Sequence, residues 1–214
     1  MGATLRSVAG SEVAALPGSR RGRFVVTPGK RVALRALEPE DADVVYTWFQ
    51  EDYFRDMFGY RYPVGRGGWR DWIERHGKPS YHDATFMLYS TEDGAALGLG
   101  ALRNPGSEDR SAEVSLALGD ISNRGLGLGR EAALLMAEFG FHVMGLRRIY
   151  AWVLAQNLPA AAACQAAGAV QEGIARKARL INGTPVDAVL YGVLAEEFAE
   201  RMRVLHRQSD TSQV

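Results

Sequence analysis

The chain has 214 residues, of which 47% are hydrophobic and 23% are charged, a composition typical of a globular protein with a full hydrophobic core. Basic and acidic residues each number 25, so the formal net charge is zero. This balance disfavours a nucleic-acid-binding protein, for which a basic excess is expected. Only three of the basic residues are lysines, a bias toward arginine that is typical of a high-GC bacterial genome: Lys30, Lys78 and Lys177.

The sequence also limits the compartment and the metal chemistry. A single cysteine, Cys164, excludes an internal disulfide. We expect no metal site, because the four histidines lack the spacing of metal ligands: His76, His82, His142 and His206. No apolar run approaches the ~20 residues of a membrane helix, and the N-terminus lacks the apolar block of a signal peptide. We therefore expect a cytoplasmic protein that does not bind membranes.

The first elements follow an N-terminal segment of biased composition. Residues 1–29 are rich in Gly, Ala, Ser and Arg, which predicts a flexible arm. A single domain is predicted over residues 30–200, followed by a C-terminal tail at 201–214. At its start, "RVALRAL" (31–37) alternates in polarity, which predicts a strand. The segment "EPEDADVVYTWFQ" follows, with Pro39 and several acidic residues near its beginning, which predicts a helix.

The rest of the domain shows the hydrophobic periods of strands and helices in a mixed order. Strands are predicted at 85–90, 96–102, 112–118 and 148–154, with a final hairpin around Asn182-Gly183; helices are predicted at 130–144 and 159–168. Several consecutive strands are joined as hairpins rather than through helices. The order indicates one mixed α/β domain of the α+β class rather than a doubly wound parallel sheet.

The segment "SNRGLGLGREAA" (122–133) places three alternating glycines directly before a predicted helix. A helix N-terminus offers free N–H groups and partial positive charge, and glycine lets a phosphate approach the backbone. No Walker P-loop pattern is present. The run 127–132 fits a dinucleotide fingerprint, but the next strand ends in "VLAQN", without the carboxylate that would bind a ribose. A simple tight turn is the remaining alternative, although one turn does not require three glycines.

A third pattern, Q/R-x-x-G-x-G/A, is the pyrophosphate loop of acyl-CoA enzymes, and Arg124, Gly127 and Gly129 match it in full. Similar segments flank the loop: "SAEVSLALGD", "RRIYAWVLAQNLPA" and "GAVQEGIARKARLINGTPVDAVLYGVLAEEF". Over residues 30–198 the chain resembles the GNAT-superfamily N-acetyltransferases, especially the RimJ/RimL-like branch that includes the ribosomal-protein N-terminal acetyltransferases. The resemblance implies a mostly antiparallel, twisted sheet that is splayed at the CoA site and flanked by helices. It also implies acetyl transfer from acetyl-CoA to a primary amine of a small molecule or protein N-terminus.

The resemblance also implies which residues would hold acetyl-CoA. The loop would wrap the pyrophosphate with the backbone of Arg124, Gly125, Leu126, Gly127, Leu128, Gly129 and Arg130. The backbone N–H groups of Leu116, Ala117 and Leu118 would face the acyl carbonyl, and Asn157 would contact the pantetheine arm. Two alternatives stay open, because Arg124 and Arg130 could be ordinary surface residues and Asn157 could simply cap the next helix.

The candidate general base is Glu113, since a primary amine arrives protonated near neutral pH and must lose that proton before it attacks. A place on a solvated sheet face is the alternative for this residue. Cys164 and Ala169 stand where the superfamily usually has the Tyr general acid and a Phe. We predict that Cys164 only packs within its alanine-rich helix. Because that tyrosine is missing, a non-catalytic acyl-CoA-binding module is the alternative function.

The acceptor amine is the second expected partner. Thirteen of the chain's 20 aromatic residues fall within 46–89, which suggests an aromatic-walled acceptor site or the face of a homodimer. The acidic residues Glu51, Asp52 and Asp56 lie in the same segment and would attract a cationic amine. Acetyl-CoA and an amine are thus the expected partners, with no nucleic acid and no membrane.

Overall fold

Eight strands form one sheet in this computed structural model, which describes residues 25–58, 62–78, 80–106 and 108–211. The strands are β1 (Val25–Pro28), β2 (Val32–Ala36), β3 (Asp83–Ser90), β4 (Ala96–Gly106), β5 (Ser111–Leu118), β6 (Arg148–Leu154), β7 (Val170–Ile181) and β8 (Thr184–Leu194). Their order in the sheet is β1-β2-β3-β4-β5-β6-β8-β7. Among these strands every neighbouring pair is antiparallel except β5 and β6, as the resemblance implies.

Helices cover both faces of the sheet. They are α1 (Ala42–Trp48), α2 (Asp52–Phe58), α3 (Arg66–His76), α4 (Leu128–Glu138), α5 (Leu158–Ala166) and α6 (Ala195–Thr211). Short 3-10 turns stand before α1 and before the glycine loop, at Pro39–Asp41 and Ile121–Asn123. Helices α1–α3 pack on one face, while α4 and α6 pack on the other. Strand β3 shows the two layers, since Phe86 and Leu88 contact the α4 layer and Met87 contacts the α1 layer.

Two segments predicted to lie outside the domain contribute to its structure. Residues 25–28 fall in the predicted N-terminal arm but form β1, because they pair with β2. Residues 201–211 fall in the predicted tail but continue α6, whose Phe198 is 1% exposed and anchors the helix in the core. The remainder of the arm, residues 1–24, and the last three residues lie outside the described part of the chain.

The predicted helix at 130–144 is only partly regular. It is α-helical from Leu128 to Glu138 and then widens into a π-helical turn at Phe139–Val143. Phe139, Gly140 and Phe141 are all buried in this turn. A strict 3.6-residue period would not place three consecutive residues in the core, so the wider turn accommodates them.

A buried ion pair fixes α1 to the sheet. Arg35 of β2 contacts the Asp41 carboxylate at 2.7 Å, and the two side chains are 3% and 4% exposed. The same guanidinium donates to the Tyr89 hydroxyl at 2.8 Å and to the Ala36 carbonyl at 2.6 Å. The Asp41 carboxylate also accepts the backbone N–H of Glu38 at 2.8 Å. These contacts join β2, β3 and the turn before α1 in one network.

We predict that Asp41→Ala lowers the free energy of unfolding by about 3–5 kcal/mol, because it leaves the buried Arg35 guanidinium without its counter-ion. Urea unfolding measures the change. The matched control is Asp43→Ala, which breaks an ion pair with Arg66 whose side chains are 59% and 62% exposed. That control should cost about 1 kcal/mol or less. Equal losses in the two variants would contradict the assigned role of the buried pair.

Candidate active site

The cleft of the molecule lies where β5 and β6 separate. Their parallel pairing covers only Ser111↔Arg148, Ala112↔Ile149 and Glu113↔Tyr150. Beyond Glu113, β5 has β4 as its single strand partner among the described residues. The gap opens into a cavity of about 710 Å³ that is lined by β5, β6, α2, α5 and the tip of the β7–β8 hairpin. The splayed sheet implied by the sequence resemblance is therefore present.

The backbone of β5 exposes alternate N–H groups to this gap. Gly119 N donates to the Leu97 carbonyl of β4 at 2.8 Å. Since N–H groups alternate between the two edges of a strand, the N–H of Ala117 also faces β4, whereas those of Leu116 and Leu118 face the open edge. Three backbone N–H groups were expected to face the acyl carbonyl. The structure places those of Leu116 and Leu118 in the gap and directs that of Ala117 toward β4.

The glycine loop follows the C-terminal end of β5 and presents a run of backbone N–H groups. No described residue accepts a hydrogen bond from the backbone N–H groups of five consecutive residues, Gly125, Leu126, Gly127, Leu128 and Gly129. Gly125 and Gly127 have φ angles of +74° and +80°, a conformation that other residues adopt at a cost. These positive φ angles explain why residues 125 and 127 are glycines. The open donors at the start of α4 suit an anion such as pyrophosphate.

Two arginines near the loop have different environments. The Arg124 guanidinium lies 3.6 Å from the centre of the Tyr53 ring on α2, a cation–π contact that links the loop to the far side of the cleft. Arg130 is exposed on the first turn of α4, and no described residue contacts its guanidinium in an ion pair or hydrogen bond. Both positions are compatible with phosphate contacts and with ordinary surface roles.

Sequence reasoning missed a third arginine, Arg31 at the start of β2. Its Nη1 donates to the Leu126 carbonyl of the glycine loop at 2.8 Å. Its Nε lies 3.3 Å from Glu131 of α4. The two contacts span 95 and 100 positions of the chain. No local pattern in the sequence could have indicated them.

Glu113 lies at the closed end of the gap and lines the cavity. It shares a sheet face with Arg103 of β4 and Tyr150 of β6, its direct neighbours in register. The Arg103 guanidinium donates to the Ser115 hydroxyl at 3.1 Å. No described residue makes a hydrogen bond or ion pair with the Glu113 carboxylate. The carboxylate thus faces the cavity rather than a counter-ion.

Tyr150 is a cavity residue that the sequence pattern of a buried strand did not indicate. Burial raises the pKa of its hydroxyl, and the negative charge of Glu113 raises it further, while Arg148 acts in the opposite direction. The hydroxyl therefore stays protonated at neutral pH, which gives the cleft an O–H donor beside Glu113.

Cys164 and Asn157 both belong to α5. Cys164 is partly buried and packs near Val153 and Tyr191, and it also lines the cavity. Burial raises the pKa of its thiol to about 11. Asn157 is the N-cap of α5, since its Oδ1 accepts the backbone N–H of Ala160 at 3.1 Å. Asn157 therefore does cap α5, the alternative that the sequence left open, and it does so through its Oδ1.

The acceptor side of the cavity is mainly charged, although Tyr150, Trp152 and Tyr191 also line the cavity. Among the described residues of 46–89 no aromatic side chain lines it, and Trp48, Phe54 and Trp69 are buried in the core layer beneath α1–α3. They pack there because large rings gain most from full burial. The cavity is instead lined by carboxylates and guanidinium groups in addition to Glu113: Asp52, Arg55, Asp56, Arg103 and Arg179. The side chains of Phe58 and Tyr60 lie outside the described part of the chain.

The charges on α2 are not equivalent. Arg55 pairs with Asp52 and also donates to the carbonyls of Phe49 and Gln50, at 3.0 and 2.9 Å. Asp56, one turn further on, makes no hydrogen bond or ion pair with any described residue. It is the carboxylate of α2 that remains available to a positively charged molecule in the cavity.

A salt bridge joins β6 and β7 at the base of the β7–β8 hairpin. Arg148 of β6 pairs with Glu172 of β7 at 2.5 Å, although β8 lies between these strands. A Cβ at Gly192 of β8 would lie 2.4 Å from the Glu172 carboxylate, so only glycine leaves room for the bridge. The hydrogen bond from Arg148 lowers the pKa of Glu172.

No group of three or more potential ligands that could hold a metal ion occurs within the described residues. None of the described helices combines the length and the apolar character needed to span a bilayer.

The comparison with known families decides the identity of the fold. The sequence pattern of the acetyltransferase (GNAT) domain family matches residues 31–170. The chain belongs to this family. The resemblance seen in the sequence is thereby confirmed, and with it the mixed α/β acetyltransferase fold. The protein is an acetyl-CoA-dependent N-acetyltransferase that transfers an acetyl group to an amine, and the alternative of a non-catalytic module is not favoured.

Individual relatives cover most of the family domain. The chain is 24% identical over 172 residues to the uncharacterized N-acetyltransferase p20 of Bacillus licheniformis, covering 79% of this chain and 96% of that protein. It is 24% identical over 182 residues to the putative ribosomal N-acetyltransferase YdaF of Bacillus subtilis, covering 82% and 97%. Its fold is similar to spermidine N-acetyltransferase from Vibrio cholerae in complex with CoA and spermine, with a TM-score of 0.72, 20% identity and coverage of 80% and 99%.

We predict that Cys164 is chemically inert and dispensable for turnover. With a thiol pKa of about 11, only about one molecule in a thousand carries a thiolate at pH 8. Alkylation by iodoacetamide should therefore be slow in the folded protein at pH 8 and accelerate as the pH approaches 11. A folded Cys164→Ala enzyme should keep turnover within a few-fold of wild type. A loss of ~10²-fold would instead identify the thiol as a general acid.

Proposed function

We propose that acetyl-CoA lies along the open edge of β5, with its pyrophosphate at the glycine loop and its thioester beside Glu113. The observation that carries this proposal is the run of free N–H groups at Gly125–Gly129 at one end of the gap, with Glu113 at the other. Roughly 17 Å of extended strand separates Glu113 from Leu118. That span suits a ligand with a long arm between its phosphates and its reactive group.

In this arrangement each predicted cofactor residue has a distinct task. The backbone of the loop and the dipole of α4 hold the pyrophosphate, and the charges of Arg124 and Arg130 add to the attraction. The N–H group of Leu116, the nearer of the two open-edge donors to Glu113, stabilises the negative charge that develops on the thioester oxygen. The N–H group of Leu118 lies about 7 Å further along the strand and contacts the pantetheine arm. Asn157 contacts the pantetheine arm while its Oδ1 continues to cap α5.

Gly129→Val tests the loop with little risk to folding, because the family pattern accepts alanine but no larger residue at this position. Gly129 lies in the first turn of α4, and outside its own helical turn no atom lies within 4 Å of the position that its Cβ would take. Valine has a helix propensity no worse than that of glycine, and its branched side chain would keep a phosphate away from the backbone. We predict an unchanged melting temperature together with at least a tenfold weaker affinity for CoA in calorimetry.

The matched control for this variant is Gly173→Val on β7, where the Cβ position is equally open. The control should leave the affinity for CoA unchanged. If Gly129→Val binds CoA as tightly as wild type, the phosphates do not approach the backbone at this point.

Glu113 is proposed as the general base of the reaction. It removes a proton from the bound ammonium group of the acceptor, and the neutral nitrogen then attacks the thioester carbonyl. The tetrahedral oxyanion is held by a backbone N–H of β5 until the carbon–sulfur bond breaks. As this bond breaks, the nitrogen gives up its second proton to water and becomes a neutral amide. The CoA thiolate leaves and takes a proton from solvent, and Glu113 releases its own proton to solvent, so that neither Cys164 nor another side chain is required as an acid.

We propose that the acceptor is the N-terminal amine of a peptide or protein. The mixed lining of the cavity supports this choice, because Arg103 and Arg179 would repel a polyamine but can contact peptide carbonyls. Asp56 would attract the positively charged amine. The name of the relative YdaF, a putative ribosomal N-acetyltransferase, points in the same direction. Since acetyl-CoA is an intracellular metabolite, the proposed compartment is the cytoplasm.

We predict that Glu113→Gln lowers kcat at pH 7 by ~10²–10⁴-fold without weakening CoA binding, as expected for loss of a general base. The loss should shrink as the pH rises, because more of the acceptor amine is then already neutral. Steady-state thiol release with a panel of short peptides, spermidine and single amino acids measures both points. Peptides should be the preferred acceptors.

The control for this experiment is Glu92→Gln, an exposed carboxylate in the β3–β4 turn. The Glu92→Gln enzyme should have the wild-type kcat. Wild-type kcat in Glu113→Gln with the preferred acceptor would remove Glu113 from the mechanism, and a preference for spermidine would overturn the proposed acceptor class.

A further inference from the structure

Arg31 holds the glycine loop from the side opposite the cleft. Its side chain is 56% exposed, and its Nη1 donates to the Leu126 carbonyl at 2.8 Å. A Cβ on Gly127 would lie only 3.2 Å from the Nη2 of the same guanidinium. The guanidinium is thus in close contact with the peptide that joins Leu126 to Gly127, in the middle of the five free donors.

The geometry of a peptide bond gives this contact a consequence for binding. In a trans peptide the carbonyl and the N–H point in opposite directions. The structure contains no cis peptide bond among the described residues. Because the Leu126 carbonyl is held toward Arg31, the N–H of Gly127 is directed away from it, toward the open side of the loop. Rotation of this peptide would present a carbonyl oxygen, which repels phosphate.

Glu131 fixes the position of Arg31 in turn. One oxygen of its carboxylate accepts the backbone N–H groups of Arg31 and Val32, at 2.6 and 3.1 Å, and the other lies 3.3 Å from the Arg31 Nε. The side chain of Glu131 is only 17% exposed. A Cβ on Gly29 would lie 2.7 Å from this carboxylate, so the backbone closely encloses it. The first turn of α4 is therefore attached to the start of β2 at several points.

We infer that Arg31 and Glu131 form a positioning pair that orients the Gly127 N–H toward the pyrophosphate of acetyl-CoA. This inference rests on the proposed function, since it presupposes that the loop holds the pyrophosphate. Arg31 acts through the Leu126 carbonyl and not as a phosphate ligand itself. The pair contributes to recognition of the phosphate end of CoA alone, because its contacts with the loop are remote from the gap beside Glu113.

The test is calorimetric and does not depend on turnover. CoA and pantetheine, which lacks the phosphates, are titrated into wild type, Arg31→Ala, Arg31→Lys and Glu131→Gln. Pantetheine affinity is obtained by displacement at high concentration. The matched control is Arg66→Ala, which removes one positive charge at a site of similar exposure on α3. Thermal unfolding of each variant shows that it is folded.

We expect Arg31→Ala to raise the Kd of CoA about tenfold, the loss typical of one charge-assisted hydrogen bond. The Kd of pantetheine should not change. Arg31→Lys should behave like Arg31→Ala, because a lysine cannot make the forked contacts to Leu126 and Glu131 together. Glu131→Gln should also weaken CoA binding, since it releases the guanidinium from its position. Arg66→Ala should bind both ligands like wild type.

Other results would overturn the inference. If Arg31 were a direct phosphate ligand, Arg31→Lys would retain most of the affinity and Glu131→Gln would bind CoA as tightly as wild type or more tightly. Equal weakening of CoA and pantetheine would indicate a general loss of structure. If Gly129→Val weakens CoA binding but Arg31→Ala does not, only the positioning role fails. If neither variant weakens it, the proposed pyrophosphate site itself fails.

Discussion

The early end of pairing between β5 and β6 is the constraint on which the function of this molecule depends. A central strand normally uses both edges, and an unpaired N–H inside a protein is costly. Here β5 keeps β4 on one edge and leaves the other open beyond Glu113. The fold thus contains a row of backbone groups that only a ligand or water can satisfy. In the proposed arrangement acetyl-CoA lies along this row.

The same constraint explains why so few side chains are needed to bind acetyl-CoA. Donors from the backbone of β5 and from the loop before α4 are fixed by the fold, so they do not have to be ordered when the ligand arrives. Side chains contribute mainly by holding this backbone in place. The pair of Arg35 and Asp41 attaches the α1 layer to β2, and Glu131 attaches α4 to the start of the same strand. Strand β2 is therefore attached both to the α1 layer and to α4, the helix that begins at the glycine loop.

The sequence was informative where the physical cause is local. The alternating glycines predicted a loop directly before a helix, and the structure shows this loop, with positive φ at Gly125 and Gly127. The apolar run at 148–154 predicted a buried strand, and β6 has the predicted bounds. The order and spacing of the motifs were sufficient to suggest the GNAT fold. Together the motifs describe most of the domain, whereas each one alone describes only a short segment.

The sequence was uninformative where the cause lies in tertiary contacts. The pairing of β1 with β2 and the burial of Phe198 bring predicted terminal segments into the domain, and neither depends on local propensity. Arg31 and Glu131 meet across 100 residues, so their relation is visible only in the fold. Composition alone could not tell which aromatic residues of 46–89 belong to the core and which to a pocket wall; the fold places Trp48, Phe54 and Trp69 in the core.

The salt bridge across Gly192 braces only one end of the β7–β8 hairpin. It joins β6 and β7 at the base of the hairpin, where Val170 pairs with Gly192 of β8. The tip around Asn182 lines the cavity and extends beyond Ala188, the last residue of β8 that pairs with β6. A bulky acceptor would therefore meet a hairpin that is held by three strands at its base and by its own pairing alone at its tip.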